Sequence, residues 1–143
     1  MDRKAIRIAL VAHDAKKEDL ADVLREFLPL LKNSEVVATH NTGSICSRRL
    51  GLTVKLLSSG PLGGDLQVGA LVAEGKLDAV IFLRDPLCAQ PHEPDISALL
   101  RVCDVHNVSL ATNKASARAI LAYFSGDARP PLVDLHELAE AAN

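Results

Sequence analysis

Short apolar runs alternate with stretches of helical periodicity along nearly the whole chain, and no other feature narrows the possible folds as much. "IRIALVA" (6–12) is almost continuously apolar, as a strand buried on both faces must be. Leu20, Val23, Leu24, Phe27, Leu28 and Leu31 then recur at the spacing of one helix face. Pro29 is expected to kink that helix or open a new turn. "EVVAT" reads as a strand, "SICSRRLG" as a short helix closed by Gly51, and "TVKLLSSG" as a strand. "DLQVGALVAEG" reads as a helix ended by Gly75, and "LDAVIFL" as the next strand. "DISALLRVCDVHN" follows as a helix with Ile96, Leu99, Leu100 and Cys103 inward, then "VSLAT" as a strand. "KASARAILAYF" is a helix with Ala117, Ile120, Leu121 and Phe124 inward. After "SGDARPP", the tail "LVDLHELAEA" is expected to dock on the sheet edge. No internal repeat or linker interrupts the order, so residues 1–143 are expected to form a single domain.

Strands alternating with helices require a sheet covered on both faces. The predicted fold class is α/β: a doubly wound, mainly parallel five-stranded sheet with helices on both faces. Such sheets bind ligands beyond the carboxyl ends of their strands, at a topological switch point. Polar residues cluster at all five predicted ends: His13-Asp14, Thr39-His40-Asn41-Thr42, Ser58-Ser59-Gly60, Arg84-Asp85 and Thr112-Asn113. Turn and capping needs account for Asp14, Ser44 and Asn113. They account poorly for His13, Lys17, Asp65 and His92, which bring an acid, a base and a cation to one rim.

Several chemistries are excluded by what is missing. There is no G-x-G-x-x-G after the first strand, no G-x-x-x-x-G-K-[ST] loop and no G-x-S-x-G elbow. The histidines lack ligand spacing, so no metal is expected. A net charge of −2 and 3% aromatic residues argue against a nucleic-acid partner. No apolar run approaches the ~20 residues that span a bilayer, so no membrane partner is expected. The start "MDRKAIRIALVAHD" lacks a small-residue cleavage site and reads as a strand rather than a signal peptide. Cys46, Cys88 and Cys103 are odd in number and form no C-x-x-C pair, which suits a reducing cytoplasm. Cys88 is expected to be a packed thiol.

What remains is a small anion held by hydroxyls, backbone N–H groups and Lys17, with a carboxylate and an imidazole acting on it. "SSGPLGGDLQVGA" poses this sharply, because it places a carboxylate in a glycine-rich loop otherwise suited to phosphate. On spacing alone Asp65 reads as a helix cap, Asp95 after Pro94 as an ordinary helix-start residue, and Lys17 as a solvated cation.

A resemblance adds to this reading. "VAHDAKK", "ATHNTG", "SGPLGGDLQVGA", "FLRDPLCAQPHEPDISALLRVCDVHN" and "LATN", from about Ile6 to Asn113, closely resemble the methylglyoxal synthase family. The resemblance implies a cofactor-free lyase that converts dihydroxyacetone phosphate to methylglyoxal and inorganic phosphate through an enediolate. It also implies a homohexamer, often under allosteric control by phosphate. By matching position, Asp65 is implied as the catalytic carboxylate and His92 as the imidazole that polarises the carbonyl and relays protons. Asp95 matches a second acidic residue near the site. His13 and Lys17 match substrate-binding positions. Thr39, His40, Asn41, Thr42, Ser59 and Gly60 fall on the phosphate cradle. Two departures stand out: the cradle reads Thr39-His40-Asn41-Thr42-Gly43 where the family usually has T-G-T-T-G, and the tail lacks a C-terminal arginine that some members use on phosphate. The rival expectation is a non-catalytic module of the same fold that senses a phosphorylated effector. Such a module needs the cradle without the Asp65–His92 pair.

Overall fold

The computed structural model describes residues 5–126. Five strands, β1 (Arg7–Ala12), β2 (Glu35–Thr39), β3 (Val54–Leu57), β4 (Ala79–Leu83) and β5 (Ser109–Ala111), form one sheet in the order β3-β2-β1-β4-β5. Every pairing is parallel, with Ile8 opposite both Val36 and Ala79 at the centre. Six helices connect and follow them: α1 (Lys17–Arg25), α2 (Leu28–Lys32), α3 (His40–Leu50), α4 (Gly64–Ala73), α5 (Glu93–Val105) and α6 (Lys114–Ser125).

The order explains the two faces. Parallel crossovers are right-handed, so reversing the direction of strand addition moves the connecting helix to the opposite face. The chain runs outward from β1 through β2 to β3, then returns to β4 and β5 on the other side of β1. Accordingly Ile8, Leu10 and Ala12 pack with Leu24 of α1, Cys46 of α3 and Leu121 of α6. The intervening Ala9 and Val11 pack with Val68 of α4 and Leu99 of α5. The two-residue period of the pleat thus divides "IRIALVA" between two cores. The reversal falls between β1 and β4, and the carboxyl ends there open the switch-point crevice.

Local predictions hold with instructive differences. The long first helix is two helices, broken at Glu26-Phe27, and Pro29 sits in the first turn of α2, where its missing N–H costs nothing. Helix α3 starts at His40, before the predicted "SICSRRLG", and ends at Gly51 in the left-handed region as expected. Its first turn is polar and gives no apolar periodicity, but Gly43 packs closely on Ala38 and Val54, and a β-carbon there would push the Leu56 side chain aside. Cys46 and Cys103 are buried, whereas Cys88 is exposed rather than packed, because it lies in the loop between β4 and α5. The tail "LVDLHELAEA" falls outside the described residues.

Candidate functional site

A cavity of about 200 Å³ opens at the switch point. This is small beside the roughly 300–1,000 Å³ of sites for drug-sized ligands, and suits a small metabolite. Four strand ends build it: His13, Asp14 and Lys17 after β1, Thr39, Asn41 and Thr42 after β2, Ser59, Gly60 and Asp65 after β3, and Gln90 and His92 after β4. The fifth predicted end, Thr112-Asn113, does not line it, and Asn113 instead caps α6 by accepting from the Ser116 N–H at 2.9 Å. Nor do Arg84 and Asp85 line it by their side chains. His40 is exposed and outside the lining, and Asp95 is half-buried in the first turn of α5, also outside it.

The glycines explain how a carboxylate arrives there. Gly63 has φ of 105°, a conformation ordinary L-residues rarely adopt, and it joins the turn at Gly60–Leu62 to α4. Gly64 lies so close beneath the Ser58 carbonyl that a β-carbon would collide with it. The loop is fastened from outside by Gln67, whose side-chain oxygen accepts from the Ser58 N–H at 2.8 Å. Asp65 therefore enters on the first turn of α4 with its side chain directed inward, fully buried. It caps nothing: neither oxygen has a hydrogen-bond partner within the described protein. Nε2 of His92 stands 3.5 Å from Oδ2, near enough for charge attraction but beyond a well-formed hydrogen bond. Burial is the main cause that raises the Asp65 pKa, with the Asp95 charge adding to it and His92 opposing it.

His13 is held differently. Its ring packs edge-on against Phe82, and its Nδ1 accepts from the Asp85 backbone N–H at 2.9 Å. An accepting Nδ1 leaves the proton of the neutral ring on Nε2. That nitrogen is buried and has no partner in the described protein. Burial, then the nearby His92 and Arg84, lower the His13 pKa, which favours the neutral ring. The site thus carries a fixed neutral donor, and His92 lies beside it at a ring separation of 6.2 Å. Lys17 Nζ contacts Asp14 Oδ1 at 2.6 Å, with Lys17 largely buried and Asp14 almost fully exposed. That contact holds the Asp14 carboxyl below its usual range.

No group of three or more His, Cys, Asp or Glu among the described residues is arranged to hold a metal ion. No described helix is long and apolar enough to cross a membrane. Sequence reasoning missed Gln90 in the lining and the part played by the Asp85 amide. Gln90 stood two residues from His92, but a backbone N–H leaves no trace in residue type.

Gly60 gives the first prediction. A β-carbon there would stand 2.8 Å from His92 Nε2 and 3.3 Å from Asp65 Oδ1. Gly60→Ala should therefore displace the imidazole and lower kcat/KM by about 10–100-fold, since small misplacements cost on that order. Steady-state kinetics on a variant with unchanged circular dichroism checks this, and an unaltered kcat/KM would show that the loop yields instead.

A parallel doubly wound sheet here sets a buried unpaired carboxylate against the His92 imidazole, with the His13 imidazole and Lys17 lining the same cavity at the switch point, an arrangement suited to acid–base chemistry on a small molecule. The family model described as MGS-like domain matches residues 19–112. Methylglyoxal synthase of Moorella thermoacetica is 59% identical over 82% of this chain and 92% of that protein. Methylglyoxal synthase of Clostridium beijerinckii is 54% identical over 83% of this chain and 100% of that protein. The crystal structure of methylglyoxal synthase from Elizabethkingia anophelis superposes with a TM-score of 0.77 at 43% identity, covering 82% of this chain and 78% of that one. The chain belongs to the methylglyoxal synthase family.

Proposed function

We propose that the chain is a lyase that converts dihydroxyacetone phosphate to methylglyoxal and inorganic phosphate through an enediolate, with Asp65 as the base. The observation that carries this reading is the Asp65 carboxylate, fully buried and with no hydrogen-bond partner, 3.5 Å from the His92 imidazole. A carboxylate that makes no structural bond, with a raised pKa, suits general-base work. Asp65 takes one proton from the hydroxyl-bearing carbon, and that electron pair becomes the carbon–carbon double bond of the enediolate. The His13 Nε2–H and the His92 ring face the developing oxyanion, and His92, with both nitrogens free of other protein hydrogen bonds, moves the proton between the two oxygens. Electrons then return from oxygen, the carbon–oxygen bond to phosphate breaks, and phosphate leaves with the bonding pair. The resulting enol takes up a proton at the former phosphate-bearing carbon to give methylglyoxal. The role of Asp95 in this scheme is indirect, through its charge on Asp65.

The phosphate end lies across the cavity, at the N-terminus of α3 and in the Ser59-Gly60 turn. Backbone N–H groups at a helix start favour an anion, and Lys17, Asn41, Thr39 and Ser59 add polar groups from three strand ends. His40 stands outside the lining, so its influence on phosphate would act through the helix N-terminus rather than by contact. A sensor of phosphorylated effectors would need this end alone, and the buried Asp65 would only destabilise it. No cofactor enters the scheme. Inorganic phosphate, as product, competes for the same end, and control by phosphate across subunits is part of the proposal, as is a cytoplasmic setting.

Isotope position tests the reaction. Dihydroxyacetone phosphate carrying two deuterons on the hydroxymethyl carbon should yield methylglyoxal with one deuteron on the aldehyde and none on the methyl group. An unlabelled aldehyde with two deuterons on the methyl group would place the abstraction at the phosphate-bearing carbon instead and contradict this reading. For assembly, we expect a homohexamer. Light scattering at micromolar concentration should give a mass near six times the 15.3 kDa chain, and a fully active monomer would overturn that expectation.

A further inference from the structure

The loop between β4 and α5, residues 84–92, reaches the site near both of its ends. Near its start the Asp85 N–H donates to His13 Nδ1, and near its end Gln90 and His92 enter the cavity lining. The middle gains no hold from the core of the chain, since Pro86, Leu87, Cys88 and Ala89 are all exposed. Polar contacts must therefore fix the two ends. At the start Asp85 closes its own turn, its Oδ1 accepting from the Leu87 N–H at 3.1 Å. At the far end the fixing group is Glu93, whose Oε1 accepts from the Gln90 N–H at 3.2 Å, spanning Pro91 and His92. A carboxylate in the first turn of a helix ordinarily serves that helix, through its dipole or a free N–H of its first turn. Glu93 instead reaches back out of α5, past the His92 N-cap, to a residue of the loop. Its other oxygen, Oε2, faces Arg84 Nη2 at 3.9 Å, a charge attraction rather than a hydrogen bond, which draws the two ends of the loop together.

We infer that Glu93 is a positioning residue for the proton relay: it closes the Gln90–Glu93 turn and so fixes where the His92 ring stands against Asp65. This inference rests on the proposed lyase reading and deepens it. The ring has little room for error. Its Nε2 stands 3.5 Å from Asp65 Oδ2 on one side, and Gly60 is so near on another that a β-carbon there would collide with it. On the helix side His92 is held by its own carbonyl, which accepts from the Asp95 and Ile96 N–H groups. Glu93 supplies the hold on the loop side. With the turn open, only the helix side of the residue is anchored, and the distance from ring to carboxylate is no longer set.

A mutant cycle tests this. The Glu93 side chain is 45% exposed, so removing it leaves no buried cavity and the fold should survive. Glu93→Ala should lower kcat for dihydroxyacetone phosphate by about 10–100-fold, as a small misplacement of a reacting group does. The dissociation constant of inorganic phosphate should be unchanged, because Glu93 lies outside the anion end. Glu93→Gln keeps an oxygen that accepts from the Gln90 N–H and should retain most of kcat, since the half-exposed attraction to Arg84 is worth little. Added to His92→Gln, Glu93→Ala should cost less than about threefold more, because a residue that acts through another is not additive with it. The full loss in both backgrounds would mean that Glu93 does not act through His92 and would overturn the inference. A lower Tm with unchanged kcat would make Glu93 purely structural and overturn it equally. The ring resonances of His92 give a readout independent of turnover: they should move in Glu93→Ala and stay in place in Glu93→Gln, and signals unmoved in both would overturn the inference. A wild-type protein that binds phosphate but makes no methylglyoxal would refute the lyase reading itself, while the ring signals would still decide whether Glu93 sets the imidazole.

Discussion

Asp65→Asn is expected to lower kcat by about 10²–10⁴-fold, the usual loss for a general base. Asparagine keeps the size and the planar shape of the side chain, so a collapse in rate isolates the missing negative charge and basicity. Binding of a phosphorylated substrate analogue should be unchanged or tighter, because the carboxylate no longer repels the phosphate. Stability should move the other way from activity. Burial raises the folded-state pKa of Asp65 above its unfolded value, so the folded chain holds this proton more tightly. The stability tied to that proton is fully present below the unfolded pKa and is lost as pH rises through the folded one. At neutral pH the ionised carboxylate is therefore a burden on the fold, and Asp65→Asn should raise Tm. The same shift sets the acid limb of the wild-type pH–rate profile. The base works only when ionised, so kcat/KM should fall as pH drops through a value above the ordinary Asp pKa of about 3.9. Near-normal turnover in Asp65→Asn would show that this side chain only occupies space at the start of α4.

His92→Gln should separate the two halves of the reaction. The ring sits at the entry to α5, 8% exposed, and its carbonyl accepts from the Asp95 and Ile96 N–H groups, so the residue is fixed by its backbone. A glutamine amide can donate to the substrate carbonyl, but it cannot pass a proton from one oxygen to the other. Phosphate release should therefore fall by about 10²–10³-fold, within the range for lost acid–base catalysis. Exchange of solvent deuterium into recovered dihydroxyacetone phosphate should fall far less, since Asp65 and the His13 donor remain. Equal losses in both measurements would assign His92 to proton abstraction itself and not to the relay.

Much of this was readable in the residues, for physical reasons that differ by element. The strands declared themselves because β1 and β4 are buried on both faces, and "IRIALVA" and "LDAVIFL" can be little else. The alternation of elements announced a parallel sheet with helices on both faces, whereas the strand order β3-β2-β1-β4-β5 is a finding of the structure, and the all-parallel pairing exceeded the mainly parallel sheet expected. The start of α3 was hidden, because His40, Asn41 and Thr42 carry turn-like chemistry and the helix takes its footing from Gly43 pressed on β3. The site was legible where it is made of side chains: His13, Lys17, Asp65 and His92 do meet at one cavity. It was not legible where backbone does the positioning. The Asp85 N–H that sets the His13 tautomer and the Ala12 N–H that donates to the Thr42 hydroxyl have no signature in residue type. Spacing alone also favoured Asp65 as a cap, and only its full burial without a hydrogen bond argues otherwise.

The central claim is that this cavity performs an elimination and does not merely hold a phosphorylated molecule. Purified protein incubated with dihydroxyacetone phosphate, with methylglyoxal and inorganic phosphate both quantified over time, tests it most directly. The account predicts that the two products appear in equal amounts, catalytically with respect to protein, and that Asp65→Asn abolishes both together. Saturable binding of dihydroxyacetone phosphate with no product beyond the uncatalysed rate would contradict it.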